Sequence, residues 1–306
     1  MKQLSIGLFV MLVLGGSAQQ LPQYSQYMLN QMAINPAVAG TDDYSEVRSN
    51  SRHQWIGITD APRTYMLTLQ GPIKDKNMGL GMGIYTDIVG PTRRTGIHAA
   101  YAYQVKIKKD IQLSMALSAG ILQWGIDGNK LKLRDDGDQQ LLTTYQTALV
   151  PDFGAGLYLY QKKKFYFGFS LPQLHQAPIK LYPGAYKNSR IISQFNFNGA
   201  YTFEIGDDFK IEPSYLLKFE VPAPLKLDLG TRVIYKDQIW LGGAWRIKDA
   251  VSMIVGYIYD DYLTIGYSYD VTTTKLKSYS SATHEVMLGI RFSHKQASAW
   301  KSPSNK

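Results

Sequence analysis

The stretch Ser189-Arg-Ile-Ile-Ser-Gln-Phe-Asn-Phe-Asn-Gly-Ala-Tyr-Thr-Phe-Glu-Ile205 alternates between two kinds of side chain. One phase carries Ile191, Phe195, Phe197, Tyr201, Phe203 and Ile205. The other carries Arg190, Gln194, Asn196, Asn198, Thr202 and Glu204. Successive side chains of a strand point to opposite faces, so this strand has one apolar and one polar side. It is longer than most globular strands and suits a tilted strand that crosses a bilayer and continues past it. The apolar phase then faces lipid and the polar phase a lumen.

The same pattern recurs along the chain. Alternation and turn signals predict about fourteen strands, at 44–54, 63–71, 78–88, 94–107, 110–126, 152–161, 164–172, 189–205, 209–221, 225–236, 238–247, 250–260, 262–274 and 283–293. In 225–236, Leu225, Leu227, Leu229, Val233 and Tyr235 alternate with Lys226, Asp228, Arg232 and Lys236. In the last strand, Val286, Leu288, Ile290 and Phe292 alternate with Glu285, Met287, Gly289 and Arg291. Strands 44–54 and 250–260 alternate less cleanly. An even number of strands returns the chain to the side it entered from. The expected fold is all-β: a single transmembrane antiparallel barrel over 44–294. Residues 19–43 precede it as a periplasmic lead-in or a plug inside the lumen, and 295–306 follow as a polar, disordered periplasmic tail.

Residues 1–18 read as a secretory signal peptide. Lys2 precedes an apolar run from Leu4 to Leu14, and Gly16 and Ala18 stand at −3 and −1 of a cut before Gln19. That run is too short to cross a bilayer as a helix. The chain has no cysteine, which excludes disulfides, thiolate metal sites and a lipoprotein anchor. Its formal net charge of +9 is dispersed, with no nucleic-acid-binding module around it, so nucleic acid is not an expected partner. The 22 tyrosines suit aromatic girdles at membrane interfaces, and the 27 glycines suit sharply curved strands.

The connectors fall into two sets. Those at 74–77, 108–110, 162–164, 206–208, 236–237 and 260–261 are tight and charged, as periplasmic turns are. Those at 55–62, 88–93, 127–151, 173–188 and 275–282 are longer, as surface loops are. Two connectors of the second set, near Pro222–Pro224 and at Lys248-Asp249, are short. This alternation places both termini in the periplasm, beneath an outer-membrane barrel.

Four blocks of sequence carry a family resemblance. They are Gln23-Tyr24-Ser25-Gln26-Tyr27-Met28 with Asn30 and Ile34-Asn35-Pro36-Ala37-Val38-Ala39-Gly40; Arg52-His53-Gln54-Trp55-Ile56-Gly57 with Ala61-Pro62-Arg63-Thr64; Ile265-Gly266-Tyr267-Ser268-Tyr269-Asp270; and His284-Glu285-Val286-Met287-Leu288-Gly289-Ile290-Arg291-Phe292. In this order the chain resembles the PorP/SprF family of type IX secretion system membrane proteins of Bacteroidota. The resemblance implies a non-enzymatic outer-membrane barrel that serves protein secretion and gliding motility. Its implied partners are periplasmic ring and lipoprotein components, a secreted adhesin or other substrate with a C-terminal sorting domain, and outer-membrane lipid. No cofactor is implied. Phe292 departs from general barrel practice, because a tail follows this terminal aromatic.

Candidate partner-contact residues come from these blocks and from the connectors: Asn35, Pro36, Arg52, Trp55, Lys162, Lys163, Lys164, Tyr182, Tyr186, His284 and Glu285. The lysines offer charge to an acidic periplasmic partner, and the tyrosines offer rigid aromatic contact area. Arg94, Arg190, Glu204, Glu212, Lys218, Glu220, Lys226, Asp228, Arg232, Arg246, Glu285 and Arg291 share the polar phase. Their mixed signs suit a lumen that closes on itself with ion pairs. Asp135, Asp136 and Asp138 lack the spacing and distal glutamate of a calcium loop and read as a solvated turn. His53 and His284 are placed to meet where the barrel closes, without a nucleophile motif beside them, so no catalytic or metal site is assigned. The alternative reading is a barrel like the long-chain fatty-acid channels, taking up hydrophobic small molecules, since these also begin with an Asn-Pro-Ala segment.

Overall fold

A computed structural model describes residues 22–131, 145–181, 190–220 and 223–293. The leader 1–18, the acidic turn Asp135–Asp138, Tyr182, Tyr186 and the tail 295–306 lie outside the described residues. The strands are β1 (Tyr44–His53), β2 (Arg63–Pro72), β3 (Met78–Val89), β4 (Thr92–Lys106), β5 (Gln112–Asp127), β6 (Tyr145–Gln161), β7 (Phe165–Leu171), β8 (Gln194–Tyr201), β9 (Phe203–Ile205), β10 (Phe209–Glu220), β11 (Lys226–Tyr235), β12 (Ile239–Arg246), β13 (Ala250–Tyr259), β14 (Leu263–Thr272) and β15 (Thr283–Ser293). Segments β8 and β9 pair with the same partner, β10, and form one barrel strand interrupted at Thr202. Each strand pairs antiparallel with its neighbours, and β1 pairs with β15 from Tyr44↔Ser293 to His53↔His284. The result is a closed fourteen-stranded antiparallel barrel.

Closure answers the problem of backbone polarity in hydrocarbon. Each N–H and C=O of the wall must find a partner without water, and a closed sheet leaves no open edge. The side chains follow the two-residue period. In β2, Tyr65, Leu67 and Leu69 are exposed on the outer surface while Thr64, Thr68 and Gln70 are buried inside. Among the described residues, no helix is long and apolar enough to cross a membrane.

The tight turns use left-handed backbone. Lys236 and Asp237 have φ of 51° and 57°, and Asp260 and Asp261 have φ of 49° and 54°. Two successive left-handed residues make the hairpin turn whose twist matches the flanking strands. Aspartate enters this region more easily than branched or bulky residues do.

Two strand boundaries differ from expectation by more than about two residues, and the connector expected at 88–93 is shortened to Gly90-Pro91 between β3 and β4. Strand β6 begins at Tyr145 rather than at 152, continuing through Pro151. Proline removes one ladder donor, which argued for a start after it, yet β5 offers paired backbone as far as Asp127↔Tyr145. Strand β8 begins at Gln194 rather than at 189. Ahead of it Arg190 bridges Pro178 and is exposed, and Ile191 is buried with Ala177 and Ile179. The alternation before Gln194 is therefore that of a chain folding over the lumen, and its apolar phase points inward. Glu204 is likewise exposed rather than luminal.

Leu288 stands mid-strand on the lipid face of β15. Leu288→Arg is expected to destabilise the folded barrel by about 2–4 kcal/mol, as a midplane arginine does. Denaturant unfolding in lipid vesicles, followed by tryptophan fluorescence, checks this.

Candidate functional site: a peptide plug in the lumen

The lumen is filled by the chain that precedes β1. Tyr24, Tyr27, Met28, Met32, Ile34, Ala37, Val38 and Ala39 are all buried. This segment runs the length of the barrel. Pro22 lies against Lys218, near the connector that follows β10. Gly40 lies against Gly79 and Pro72, at the end with the tight turns. There the chain reverses into β1. Tyr44 and Ser293 thus share the turn end, whereas the first described residue lies toward the loop end.

The upper part of the plug is held by charge. Glu285, fully buried on β15, accepts from the Ser25 N–H at 2.8 Å and from the Gln26 N–H at 3.4 Å. Ser25 Oγ donates to Asp270 at 2.6 Å. Arg52 spans the same group: its Nη1 lies 3.1 Å from Glu285 and 2.7 Å from Ser25 Oγ, and its Nη2 lies 2.8 Å from Asp270. Arg246 continues the chain of charges, 3.9 Å from Asp270 and 3.1 Å from Asp228. A buried charge is tolerable only when paired and hydrogen-bonded. Here part of the pairing comes from the plug itself, through the Ser25 hydroxyl and two backbone N–H groups.

Below this, polar contacts tie the plug to the wall turn by turn. Asn30 Nδ2 donates to Asn50 Oδ1 at 2.7 Å, and Asn50 in turn donates to Glu285 at 3.0 Å. The Tyr27 and Ser214 hydroxyls are 3.0 Å apart. Tyr158 OH donates to Gln31 at 2.5 Å. Gln104 donates to the Gly40 carbonyl at 2.6 Å.

Asn35 and Pro36 explain the central motif. Asn35 caps the short 3-10 turn Pro36–Val38, accepting from the Ala37 N–H at 2.9 Å. Proline at the first position suits that turn, because no intrahelical partner awaits its missing N–H. The amide of Asn35 also donates to the Leu157 carbonyl of β6 at 2.9 Å and toward the Phe169 carbonyl of β7 at 3.3 Å. Gly156 stands where a Cβ would collide with Asn35 Oδ1, and Gly79 where one would collide with the Ala39 carbonyl. Lack of a side chain at these two wall positions lets the plug backbone approach.

The other candidates are dispersed. Trp55 lies in the first loop with φ of 48°, its N–H donating to Thr283 Oγ1 at 3.1 Å. His284 faces His53 across the seam and lies 2.6 Å from the Tyr267 hydroxyl. Lys162, Lys163 and Lys164 are exposed on the β6–β7 turn, with Lys162 bonded to Asp43 at 2.5 Å. The structure therefore joins Arg52 to Glu285 and leaves Trp55, His284 and the lysines elsewhere. Reasoning from sequence missed Asp270 and Asn50 as luminal partners. Asp270 follows Tyr267-Ser268-Tyr269 without a charge alternation around it, and β1 carries small polar residues on both phases. Among the described residues no group of three or more metal-ligating side chains comes together.

Other charge pairs line the wall: Glu46 with Arg48, Asp87 with Arg94, and Glu212 with Arg232. A residual cavity of about 80 Å³ remains beside the plug, bounded by Tyr24, Met32, Ile34, Met66, Asp152 and Lys218.

A closed barrel with lipid-facing apolar walls and an internal peptide plug defines an outer-membrane protein of the plugged-barrel class. The chain belongs to the PorP/SprF family, type IX secretion system membrane proteins, whose family model matches residues 16–290. No curated protein matches it by sequence. Among solved structures it is similar to a Pseudomonas aeruginosa FadL homologue, at 11% identity and a TM-score of 0.50, over 89% of this chain and 95% of that one. It is also similar to the Ralstonia pickettii toluene transporter TbuX, at 10% identity and a TM-score of 0.49, over 86% and 92%. At such identity the first likeness speaks for the fold alone.

Gly156→Val is expected to displace Asn35 and loosen the plug while the wall still closes. Glu285→Ala leaves Arg52 without one carboxylate and the Ser25 and Gln26 N–H groups without an acceptor, a loss of about 3–5 kcal/mol. Both variants should expose the segment 22–43 to protease in folded protein, read by mass spectrometry, with wild type resistant.

Proposed function

We propose that this protein is a non-enzymatic platform of the type IX secretion system, holding a secreted surface protein, the periplasmic ring, or both. The observation that carries this reading is the filled lumen: a plug bonded to the wall along its length leaves the two rims as the surfaces for function. The loop end faces outward and offers its long connectors to a secreted partner. The turn end faces the periplasm and offers exposed lysines, Lys162 to Lys164 among them, to the ring. The reading assigns no catalysis. Ser51 Oγ lies 3.3 Å from His53 Nε2, but on the outer face of β1 and with no carboxylate bonded to that imidazole among the described residues.

Replacing Lys162, Lys163 and Lys164 together by alanine is expected to reduce co-isolation of periplasmic ring components from outer membranes several-fold. Barrel assembly, read by heat-modifiable gel mobility, should be unchanged. Undiminished recovery of the ring components argues against the platform.

The cavity beside the plug supports a second reading, uptake of a small hydrophobic molecule, because Tyr24, Met32, Ile34 and Met66 give it an apolar side. Conductance, or a hydrophobic molecule retained by the purified barrel, would favour that reading over the platform.

A further inference from the structure

Seven stations make up the turn rim: the junction of β1 with β15, and six tight turns. The turns after β2, β4 and β6 are neighbours. Among the described residues they carry Lys74 and Lys76, then Lys106, Lys108 and Lys109, then Lys162 to Lys164, all exposed, against Asp75, Asp110 and, from the adjoining β1 station, Asp43, which pairs with Lys162. The turns after β9, β11 and β13 occupy the opposite half. They carry Glu204, Asp207 and Asp208, then Asp237, then Asp260 and Asp261, also exposed, against Lys210 and Lys236. Lys210 pairs with Asp237 at 2.6 Å and Lys236 with Asp208 at 3.9 Å, and Glu204, Asp207, Asp260 and Asp261 stand outside these pairs and keep the arc acidic. The rim is thus divided into a basic arc and an acidic arc on opposite sides of the barrel.

We infer that this divided rim is an interaction surface for a second copy of the same chain standing beside the first in the membrane, basic arc against acidic arc. Three physical points favour that occupant. Identical barrels sit at identical depth, because the same apolar belt positions each, so their turns meet at one height. The two arcs are complementary to each other, whereas a partner of one sign is drawn to half of the rim and repelled by the rest. Like arcs brought together repel, which selects the head-to-tail arrangement. A contact between two different surfaces of one chain repeats, so it generates rows rather than closed pairs. Exposed ion pairs are individually weak, so the arcs set orientation more than affinity. This inference stands apart from the platform reading: a periplasmic partner reaches the turns from beneath, a neighbouring copy from the side.

The absence of native cysteine makes the test direct. Single variants K109C and D208C are reconstituted together in phosphatidylcholine vesicles and joined with a short bis-maleimide. Yields are normalised to the labelling of each cysteine by a monofunctional maleimide. At about 0.01 M salt, where the Debye length is ~30 Å, K109C–D208C products are expected to exceed like-with-like products several-fold over the statistical ratio. At about 1 M salt, where it is ~3 Å, the ratio should fall to statistical. Adding D207K, D260K and D261K to the D208C chain should abolish the preference while gel mobility shows a folded barrel. A statistical mixture at low salt overturns the inference, and so does a preference that survives the charge reversal. Neither result bears on recovery of ring components.

Discussion

In the hydrocarbon of a bilayer, a backbone N–H or C=O without a partner costs several kcal/mol, and no water is present to relieve it. The whole wall answers to that constraint, and it is met only when the last strand finds the first. The β1–β15 seam, ten residue pairs from Tyr44↔Ser293 to His53↔His284, is therefore the contact on which the barrel depends. The deepest charge cluster sits on the inner face of that seam. Arg52 and Asn50 come from β1, Glu285 from β15 and Asp270 from the adjoining β14. Ser25 and Gln26 of the plug complete it. Closure and plugging are thus coupled: the seam assembles the site that holds the plug, and the plug supplies hydrogen bonds to charges the seam has buried.

This coupling bears on function. A lumen lined by scattered ion pairs would still admit water and solutes. Here the ion pairs, the buried tyrosines and the Asn35 turn are organised around a peptide, with a cavity of about 80 Å³ beside it. In the proposed platform, contacts with partners are made at the rims, where exposed charge and connector length vary from station to station. The PorP/SprF relationship ties the barrel to the type IX secretion system, and the division of the turn rim into basic and acidic arcs gives the molecule a direction in the membrane plane.

Much of the wall was readable from sequence because lipid and lumen impose opposite demands on alternate residues. The predicted strands correspond to observed ones, and the tight turns fall where charge clusters announced them. The exceptions have physical causes. Pro151 marks a lost donor, but the partner strand β5 extends beyond it, and pairing prevails over the local signal. Ile191 carries the apolar phase expected of a lipid-facing residue, yet it packs inward with Val150 and Ile179 because the chain there folds over the mouth of the barrel. Periodicity reports that a residue is apolar on one side; it does not report which greasy surface receives it.

Sequence by itself determined the fold class, the order and approximate extent of the strands, and the chemical character of each connector, since these rest on local composition and a two-residue period; the family resemblance rested on the four motif blocks. It left open whether 19–43 is a lead-in or a plug. Only the tertiary structure decided that residues 22–43 thread the lumen, that Arg52 meets Asp270 and Glu285, and that Gly79 and Gly156 make room for Ala39 and Asn35. These contacts join residues far apart in sequence. They arise from the closure of the sheet, which brings β1, β14 and β15 together around one interior, and no local pattern in any of the three encodes what the others will present.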